Sequence, residues 1–249
     1  MPKGSADRWP ADYERGRPGW PPDIARVGGL PSDATVLDLG AGTGKITRLL
    51  VGAFSRVVAV EPSEAMRRVL KRLCPQAEAL PGSAEDIPLP VSSVDGIFVG
   101  QAFHNFDQER AVREMARVLR PGGAAVLAWN LPSSPWQPST AEAEEVLKRL
   151  MPADLDYIPL DLGGPDASSG WQPTGSRSFF GSFRATVFSN PHKVDREGLI
   201  AFYATMGWLA ELPDHERLPL LDQVRARLPA AEYRRLWETH AHWAHRRAT

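Results

Sequence analysis

Three glycines at alternate positions, directly after a short apolar strand pattern, constrain this chain more than any other feature. Thr35–Leu39 reads TVLDL, and Gly40, Gly42 and Gly44 follow before a helical pattern begins near Lys45. Glycine takes a positive φ without steric cost and leaves room for a ligand to lie against the backbone. Amides at the start of the following helix favour a ligand carboxylate. The segment therefore predicts a strand–turn–helix unit that binds a ligand.

Apolar runs of strand length alternate with amphipathic helical patterns from Thr35 to Asn130. Strands are predicted at Thr35–Leu39, Arg56–Val60, Ala77–Leu80, Val94–Val99 and Ala124–Trp129. Helices are predicted at about Lys45–Ala53, after Ser63 as N-cap, and at Asp107–Leu119 before a Pro-Gly-Gly stop signal. Strands separated by helices imply right-handed crossovers and a parallel sheet with helices on both faces. The fold class is therefore α/β, doubly wound and Rossmann-like.

The chain after residue 130 follows a different pattern. Residues 162–176, rich in Gly, Pro and Ser, predict a long surface loop. The tail LWETHAHWAHRR predicts a final strand, with a helix as the alternative. The other predicted elements are a helix near Thr140–Leu150, a strand at Phe183–Phe188, a helix from Asp195 as N-cap to Met206, and a helix at Asp214–Leu228.

The spacing of the glycines bears on which nucleotide the turn binds. A dinucleotide-binding turn has the pattern G-x-G-x-x-G, but Lys45 stands where its third glycine would fall, and Gly44 lies one place earlier. This favours S-adenosylmethionine over NAD. A glycine-rich turn without a ligand is the structural alternative.

Acidic residues follow the second and third predicted strands. Glu61 ends the second strand, 17 residues beyond Gly44, where a carboxylate can accept hydrogen bonds from both ribose hydroxyls. Asp86, in the segment Gly82–Pro88, can accept from the exocyclic amine of adenine, and the amide of Ala84 or Glu85 can donate to a ring nitrogen. A solvated strand end and a charged surface turn are the alternatives.

With these motifs in order, the chain resembles class I S-adenosylmethionine-dependent methyltransferases, in the branch that includes trans-aconitate and fungal thiol methyltransferases. The resemblance rests on DLGAGTGKIT, VVAVEPSEAM, GSAEDIPLP, VDGIFVGQAFHNFD and RVLRPGGAAVLAWN, with ADYERGRPGWP near the start. It implies a seven-stranded sheet with an antiparallel last strand. It also implies a helical N-terminal lid at residues 1–30, a cofactor-binding core at 31–130, and an acceptor pocket and final strands at 131–249.

The resemblance further implies a set of cofactor contacts. The cofactor-binding residues are then Asp38, Gly40, Gly42, Gly44, Glu61, Ala84, Glu85, Asp86, Gln101 with its neighbour Ala102, and Tyr13 and Arg17 of the lid. Arg17 is a carboxylate partner in this interpretation. Relatives usually carry Trp where this chain has Asn105, so a relative's methyl acceptor cannot be transferred to this chain.

His104 follows the fourth strand, at the edge of the sheet where open α/β sheets bind ligands. It is the candidate general base for a hydroxyl acceptor, because such an acceptor must lose a proton. The alternative is a structural histidine packed between Phe103 and Phe106. Candidates for an apolar acceptor pocket are Trp129, Trp136, Trp171, Phe179 and Trp208.

The composition bears on partners and location. A net charge of −1 argues against a general nucleic-acid binder, and no apolar run is long enough to span a membrane. The chain start lacks a signal-peptide pattern, and the single Cys74 cannot form an internal disulfide, so we expect a cytoplasmic protein, monomeric or homodimeric. On a strand, His240 and His242 would share a face while His245 points away, so no metal site is expected.

Three functions remain open from the sequence. The first is a methyltransferase acting on an oxygen, sulfur or carboxylate of a small metabolite. The second is a non-catalytic protein that binds S-adenosylmethionine and regulates a partner. The third, a nicotinamide-dependent oxidoreductase, is disfavoured by Lys45.

Overall fold

A seven-stranded sheet forms the centre of the protein in the computed structural model, which describes residues 9–133, 140–149 and 170–248. The strands are β1 (Thr35–Leu39), β2 (Arg56–Val60), β3 (Glu78–Leu80), β4 (Val94–Gly100), β5 (Leu119–Pro132), β6 (Arg184–Ser189), β7 (His192–Asp195), β8 (Glu232–Arg235) and β9 (Trp237–His245). The sheet order is β3-β2-β1-β4-β5-β9-β6, and β7 and β8 form a separate ribbon. Strands β1 to β5 are parallel, whereas β9 runs antiparallel to β5 and β6. The predicted fold class and the antiparallel last strand are confirmed.

Helices cover the sheet and form a further layer beside it. They are α1 (Pro10–Gly16), α2 (Thr47–Val51), α3 (Glu64–Leu73), α4 (Gln108–Val118), α5 (Ala141–Lys148), α6 (Arg196–Ala204), α7 (Gly207–Glu211) and α8 (Asp214–Arg227). Short 3₁₀ turns lie at Pro22–Arg26, Phe103–Asn105 and Ser176–Ser178. Both predicted N-caps are confirmed: the Ser63 hydroxyl accepts from Met66 N, and the Asp195 carboxylate accepts from Gly198 N.

The tail forms a strand because its residues alternate between the two faces of the sheet. Along β9, Thr239 and Ala241 are fully buried, and Glu238 is exposed. Strand β5 extends beyond the predicted Ala124–Trp129 at both ends: Leu119 pairs with Val94 of β4, and β9 pairs with β5 as far as Pro132. The helical alternative for the tail is therefore wrong. Much of the predicted loop at 162–176 lies outside the described residues.

The helical layer beyond the sheet has its own apolar core. Side chains from α5, α6, α7 and α8 pack with Tyr233 and Trp237 of the ribbon and β9. Helix α1 lies against α6, and its last residue is Gly16. A Cβ atom at Gly16 would lie 2.1 Å from the backbone N of Phe202, so only glycine permits this approach. The N-terminal helix is therefore docked on this layer. No helix in the described part of the chain has the length and hydropathy needed to cross a bilayer.

A buried ion pair joins two parts of the helical layer. Arg235 of β8 and Glu144 of α5 have side chains 1% and 0% exposed, and Nη1 lies 3.2 Å from Oε1. The Tyr203 hydroxyl donates to the same Glu144 oxygen at 2.6 Å. Removing one partner of such a pair leaves an uncompensated buried charge. The pair therefore fixes α5 against α6 and the ribbon.

We expect Glu144→Gln to lower the free energy of unfolding by about 3 kcal/mol, because the Arg235 guanidinium keeps its charge and loses its counter-ion. Glu64→Gln is the control, since Glu64 and Arg68 form an exposed pair on α3. That change should cost far less, because exposed ion pairs contribute little to stability. Urea denaturation measures both, and equal losses would contradict a stabilising role for the buried pair.

Candidate cofactor and acceptor site

The glycine turn after β1 has the conformation that its sequence predicts. Gly40, Gly42 and Gly44 have φ of 72°, 57° and 86°. A Cβ at Gly40 would lie 2.8 Å from Cβ of Ala102, and one at Gly44 would lie 3.0 Å from Cγ of Leu70, so both glycines are needed for packing. A Cβ at Gly42 would meet no described atom within 4 Å. The middle glycine therefore borders open space at the carboxyl end of β1.

Glu61 lies directly after β2 and is bonded to the same turn. Its Oε2 accepts from Gly42 N at 2.8 Å, and its Oε1 accepts from Ser63 N at 2.9 Å. The residue is 8% exposed. A carboxylate has about four lone-pair sites, so one that bonds two backbone amides can also take part in bonds to hydroxyls. The structure thus places the predicted ribose-binding carboxylate beside the open side of Gly42.

Asp38 has a different environment from the other predicted cofactor residues. Its side chain is buried within β1, and Oδ2 accepts from the Thr47 hydroxyl at 2.6 Å. Burial raises the pKa of the Asp38 carboxyl to about 7, and the charge of Glu61 acts in the same direction. Asp38 therefore ties β1 to the first residue of α2 and supports the turn from within the protein.

The segment after β3 is held against α4. Ala84 is buried, and the Glu85 carboxylate accepts from Asp107 N, the N-cap of α4, at 2.9 Å. Asp86 is exposed. The Ile87 amide donates to Glu114 Oε2 at 2.9 Å. The Glu85 side chain is thus engaged in positioning α4, whereas the Asp86 carboxylate lies at the surface, as an adenine contact requires.

Gln101, at the end of β4, has a strained backbone. Its φ is 53°, a left-handed conformation that few residues other than glycine adopt. Its amide donates to Ala128 O at 2.8 Å, and its side-chain Oε1 accepts from Asn130 N at 2.9 Å. Such outliers cluster at functional sites, where surrounding contacts hold them. Ala102 follows, against Gly40, so these two residues border the glycine turn.

His104 lies in the 3₁₀ turn after β4 and is half-buried. The Asn105 amide Nδ2 lies 3.2 Å from His104 Nε2, and Nδ1 is buried without a hydrogen-bond partner among the described residues. Burial lowers the pKa of His104 to about 4, and the charge of Arg17 adds to this. The ring is therefore neutral at pH 7. With Asn105 donating to Nε2, the ring proton is on Nδ1.

The N-terminal helix is bonded to the glycine turn through Glu14, which the sequence analysis did not identify. Its carboxylate accepts from the Thr43 hydroxyl at 2.6 Å and from Arg48 at 2.7 Å. Lys45 Nζ donates to the Glu14 backbone carbonyl at 2.8 Å. The one sequence signal for this contact is Lys45, which stands where a dinucleotide-binding turn has glycine. Helix α1 thus lies across the turn.

Tyr13 lies in α1, close enough to Glu61 and Asp38 for their charges to act on its hydroxyl, and Arg17 directly follows that helix. Arg17 donates to the Thr205 hydroxyl at 2.9 Å and to the Thr205 carbonyl at 2.6 Å. Its guanidinium lies 5.9 Å from the Tyr13 ring and 5.1 Å from the Phe202 ring. Burial raises the pKa of Tyr13. In this structure Arg17 therefore holds α1 to the end of α6, and its role towards a ligand carboxylate stays a prediction.

Some of the predicted pocket aromatics lie together at the end of β5. The Trp129 and Trp171 ring centroids are 5.8 Å apart, and both rings contact Phe103 and His242 edge-on. Phe179 packs against the same cluster. Trp208 lies in the core of the helical layer instead, and Trp136 lies outside the described residues. Phe103 connects this aromatic cluster to the His104 turn.

The tail histidines lie in three different environments. His240 Nε2 is 3.5 Å from Glu238 Oε2, His242 is buried against Trp129, and the His245 ring lies 3.0 Å from Gly122 O. Among the residues that the structure describes, no group of three or more His, Cys, Asp or Glu side chains could hold a metal ion.

Comparison with known proteins shows what this chain is similar to. Residues 37–127 match the family model described as a methyltransferase domain. An uncharacterized methyltransferase of Mycobacterium tuberculosis is 55% identical over 119 residues, which are 47% of this chain and 49% of that protein. An uncharacterized methyltransferase-like protein of Schizosaccharomyces pombe is 29% identical over 232 residues, 89% of this chain and 86% of that protein.

A solved structure shares the fold. A candidate type II methyltransferase from Anaeromyxobacter dehalogenans superposes with a TM-score of 0.60 at 23% identity, over 92% of this chain and 97% of that one. The chain spans about half the length of the mycobacterial relative. Residues 37–127 are thus similar to methyltransferase domains, and the fold is shared over most of the chain.

Gly42→Ala tests whether the open side of the turn is the cofactor site. Gly122 is a matched control, because its φ is 79° and a Cβ there also meets nothing within 4 Å. It lies near the start of β5, at the edge of the sheet opposite to the glycine turn. Both variants should lose about 1–2 kcal/mol of stability through left-handed strain. Only Gly42→Ala should weaken binding of S-adenosylhomocysteine, at least tenfold by calorimetry. Unchanged binding in Gly42→Ala would contradict the placement.

Asp38→Asn tests the state of the carboxyl beneath the turn. Because the folded-state pKa of about 7 exceeds the ordinary value of 3.8, the folded protein binds more protons than the unfolded chain between these values. The Asp38 contribution to stability is therefore complete below about pH 4 and is lost as the pH rises towards 7. The difference in unfolding free energy between wild type and Asp38→Asn should fall over that window, by at most ~1.4 kcal/mol per pH unit. A difference independent of pH would contradict the raised pKa.

Proposed function

We propose that this protein transfers the methyl group of S-adenosylmethionine to an oxygen, sulfur or carboxylate of a small molecule. One observation carries the proposal: the Glu61 carboxylate is bonded to the amide of Gly42, beside the only one of the three turn glycines whose Cβ position meets no described atom within 4 Å. The backbone that a flat nucleoside can approach therefore lies next to a hydrogen-bond acceptor for the ribose hydroxyls.

In this proposal the other predicted residues contact different parts of the donor molecule. Ala84, Glu85 and Asp86 contact adenine through backbone amides and the exposed Asp86 carboxylate. Gln101 and Ala102 border the methionine part, and α1 with Tyr13 and Arg17 covers it. Methyl transfer from a sulfonium is an in-line displacement, so the main task of these residues is to hold donor and acceptor in line.

For a hydroxyl acceptor, we assign the proton transfer to His104. Its neutral ring meets the first requirement of a base, although a pKa of about 4 makes it a weak one. In the other tautomer the ring proton is on Nε2, where the oxygen of a rotated Asn105 amide can accept it, and Nδ1 has a lone pair that can take the proton of the hydroxyl acceptor. A thiol or carboxylate acceptor can arrive already ionised and needs no such step.

The residues on the side of the methyl acceptor bear on which branch of methyltransferases and which class of acceptor we propose. On its sequence motifs we propose the branch that includes trans-aconitate and fungal thiol methyltransferases, although Asn105 departs from that branch and changes the polarity beside His104. Trp171, the partly exposed ring of the aromatic cluster, favours an acceptor with an apolar or planar part, whereas Phe103 and Trp129 are buried core rings. We propose a small-molecule acceptor and a monomer or homodimer without nucleic-acid or membrane partners.

A non-catalytic S-adenosylmethionine-binding protein remains the second candidate, since it would use the same cofactor contacts. Production of S-adenosylhomocysteine over a panel of phenols, thiols and carboxylic acids separates the two. Turnover with any acceptor supports the enzyme. A protein that binds donor tightly and turns over none of the panel supports the regulatory alternative.

Glu61→Gln tests the cofactor contact. The amide has one acceptor oxygen instead of two and places an N–H donor against Gly42 N or Ser63 N, so affinity for S-adenosylmethionine should fall at least tenfold. Glu64→Gln, three residues later and exposed, should bind as wild type does. Calorimetry measures both, and equal affinity in the two variants would refute the ribose contact.

His104→Ala tests the base. Turnover of a hydroxyl acceptor should fall by about a hundredfold or more, with little change in the Kd of S-adenosylmethionine, because the ring acts on the acceptor proton. Turnover of a thiol acceptor by the same variant should fall far less. If hydroxyl turnover were unchanged, His104 would be a structural residue.

A further inference from the structure

A buried asparagine near the end of β5 joins four parts of the chain. Asn130 is 7% exposed, and its Nδ2 donates to Gly19 O at 3.0 Å. Its Oδ1 accepts from the Thr239 hydroxyl of β9 at 2.5 Å and from Asn190 Nδ2 at 3.0 Å. Its backbone amide donates to the Gln101 side chain at 2.9 Å. We call these five residues the Asn130 junction.

The junction fixes the segment that follows α1. Two side-chain amides donate to the Gly19 carbonyl, that of Asn130 and, at 2.9 Å, that of Asn190. Asn190 lies between β6 and β7. The next residue, Trp20, lies against the end of β4: a Cβ at Gly100 would be 2.8 Å from Trp20 Cζ2. Holding Gly19 therefore holds Trp20 over the carboxyl end of the strand that leads to Gln101.

The junction also fixes Gln101 itself. Strand β4 ends at Gly100, so the amide of Asn130 has no further backbone carbonyl of β4 to bond. The Gln101 side chain supplies that carbonyl, while the Gln101 amide bonds Ala128 O. These two bonds to β5 restrain a residue whose left-handed backbone would otherwise relax. The Asn130 side chain thus contacts the N-terminal segment, while the backbone amide of the same residue restrains Gln101.

We propose that Asn130 is a positioning residue, whose side chain sets the position of the segment that follows α1, next to the strained Gln101. The inference rests on the proposed function, because its consequence is retention of the methyl donor beneath α1. Asparagine suits this place because it offers a donor towards Gly19 O and an acceptor towards Thr239 and Asn190 from one planar group. Neither an aspartate nor an aliphatic side chain of similar size has both.

The test is Asn130→Asp, with Gln223→Glu on the exposed surface of α8 as the control for an added negative charge. The new carboxylate would face the Gly19 carbonyl with an acceptor in place of a donor. At pH 7.5 we expect the Kd of S-adenosylhomocysteine to rise about tenfold or more, mainly through faster dissociation. We also expect faster amide hydrogen exchange across residues 17–21.

Lowering the pH distinguishes positioning from loss of folding. A protonated carboxyl group can donate to Gly19 O again, so the affinity defect of Asn130→Asp should shrink as the pH falls from 7.5 to 5.5, relative to wild type at each pH. If Asn130→Asp does not fold, Asn190→Ala removes one of the two donors to the same carbonyl and should show the exchange and dissociation effects in milder form.

The outcomes separate the two claims. Wild type that fails to bind S-adenosylhomocysteine would overturn the proposed function, and hydrogen exchange would still test the junction. Wild type that binds, with affinity and exchange in Asn130→Asp equal to those of Gln223→Glu, would overturn the positioning role alone. A defect in Asn130→Asp that stays constant between pH 7.5 and 5.5 would also overturn it.

Discussion

The site depends on how the turn after β1 meets the end of β2. The amides of Gly40 and Ala41 donate to Val60 O at 2.8 and 3.1 Å, and the Gly42 amide donates to the next side chain, Glu61. Three left-handed residues within five positions make this path possible, and β-carbons at two of them would collide with Ala102 or Leu70. The turn therefore fixes the positions of α2 and of the Glu61 carboxylate, and it leaves the backbone of Gly42 open to a ligand.

Much of this arrangement could be predicted because its signals are local. The glycine spacing, the caps at Ser63 and Asp195, and the period-two pattern of the tail each depend on residues within about one element. The parallel order of β1 to β5 follows from the alternation of strands and helices. Local patterns were less able to set boundaries: β5 is longer than its apolar run, because pairing with β4 and β9 extends it.

The contacts that hold the N-terminal segment could not be predicted in the same way. Glu14 meets Thr43, Arg17 meets Thr205, and Asn130 meets Gly19, and each pair is far apart in the chain. A single sequence shows polar residues at these positions but not which ones face one another. The same holds for the Glu144–Arg235 pair, since an acidic residue on a helix more often lies in solvent. Except for Thr43, these residues lie outside the stretch 37–127 that matches the family model.

The central claim is that the crevice beside Gly42 binds the nucleoside of the methyl donor. A crystal structure of the protein with S-adenosylhomocysteine tests it most directly. The account predicts both ribose hydroxyls within hydrogen-bond distance of the Glu61 carboxylate, adenine against residues 84–86, and the thioether facing Gln101 and His104. A nucleoside bound elsewhere, or a ribose that leaves Glu61 bonded only to Gly42 and Ser63, would contradict the account.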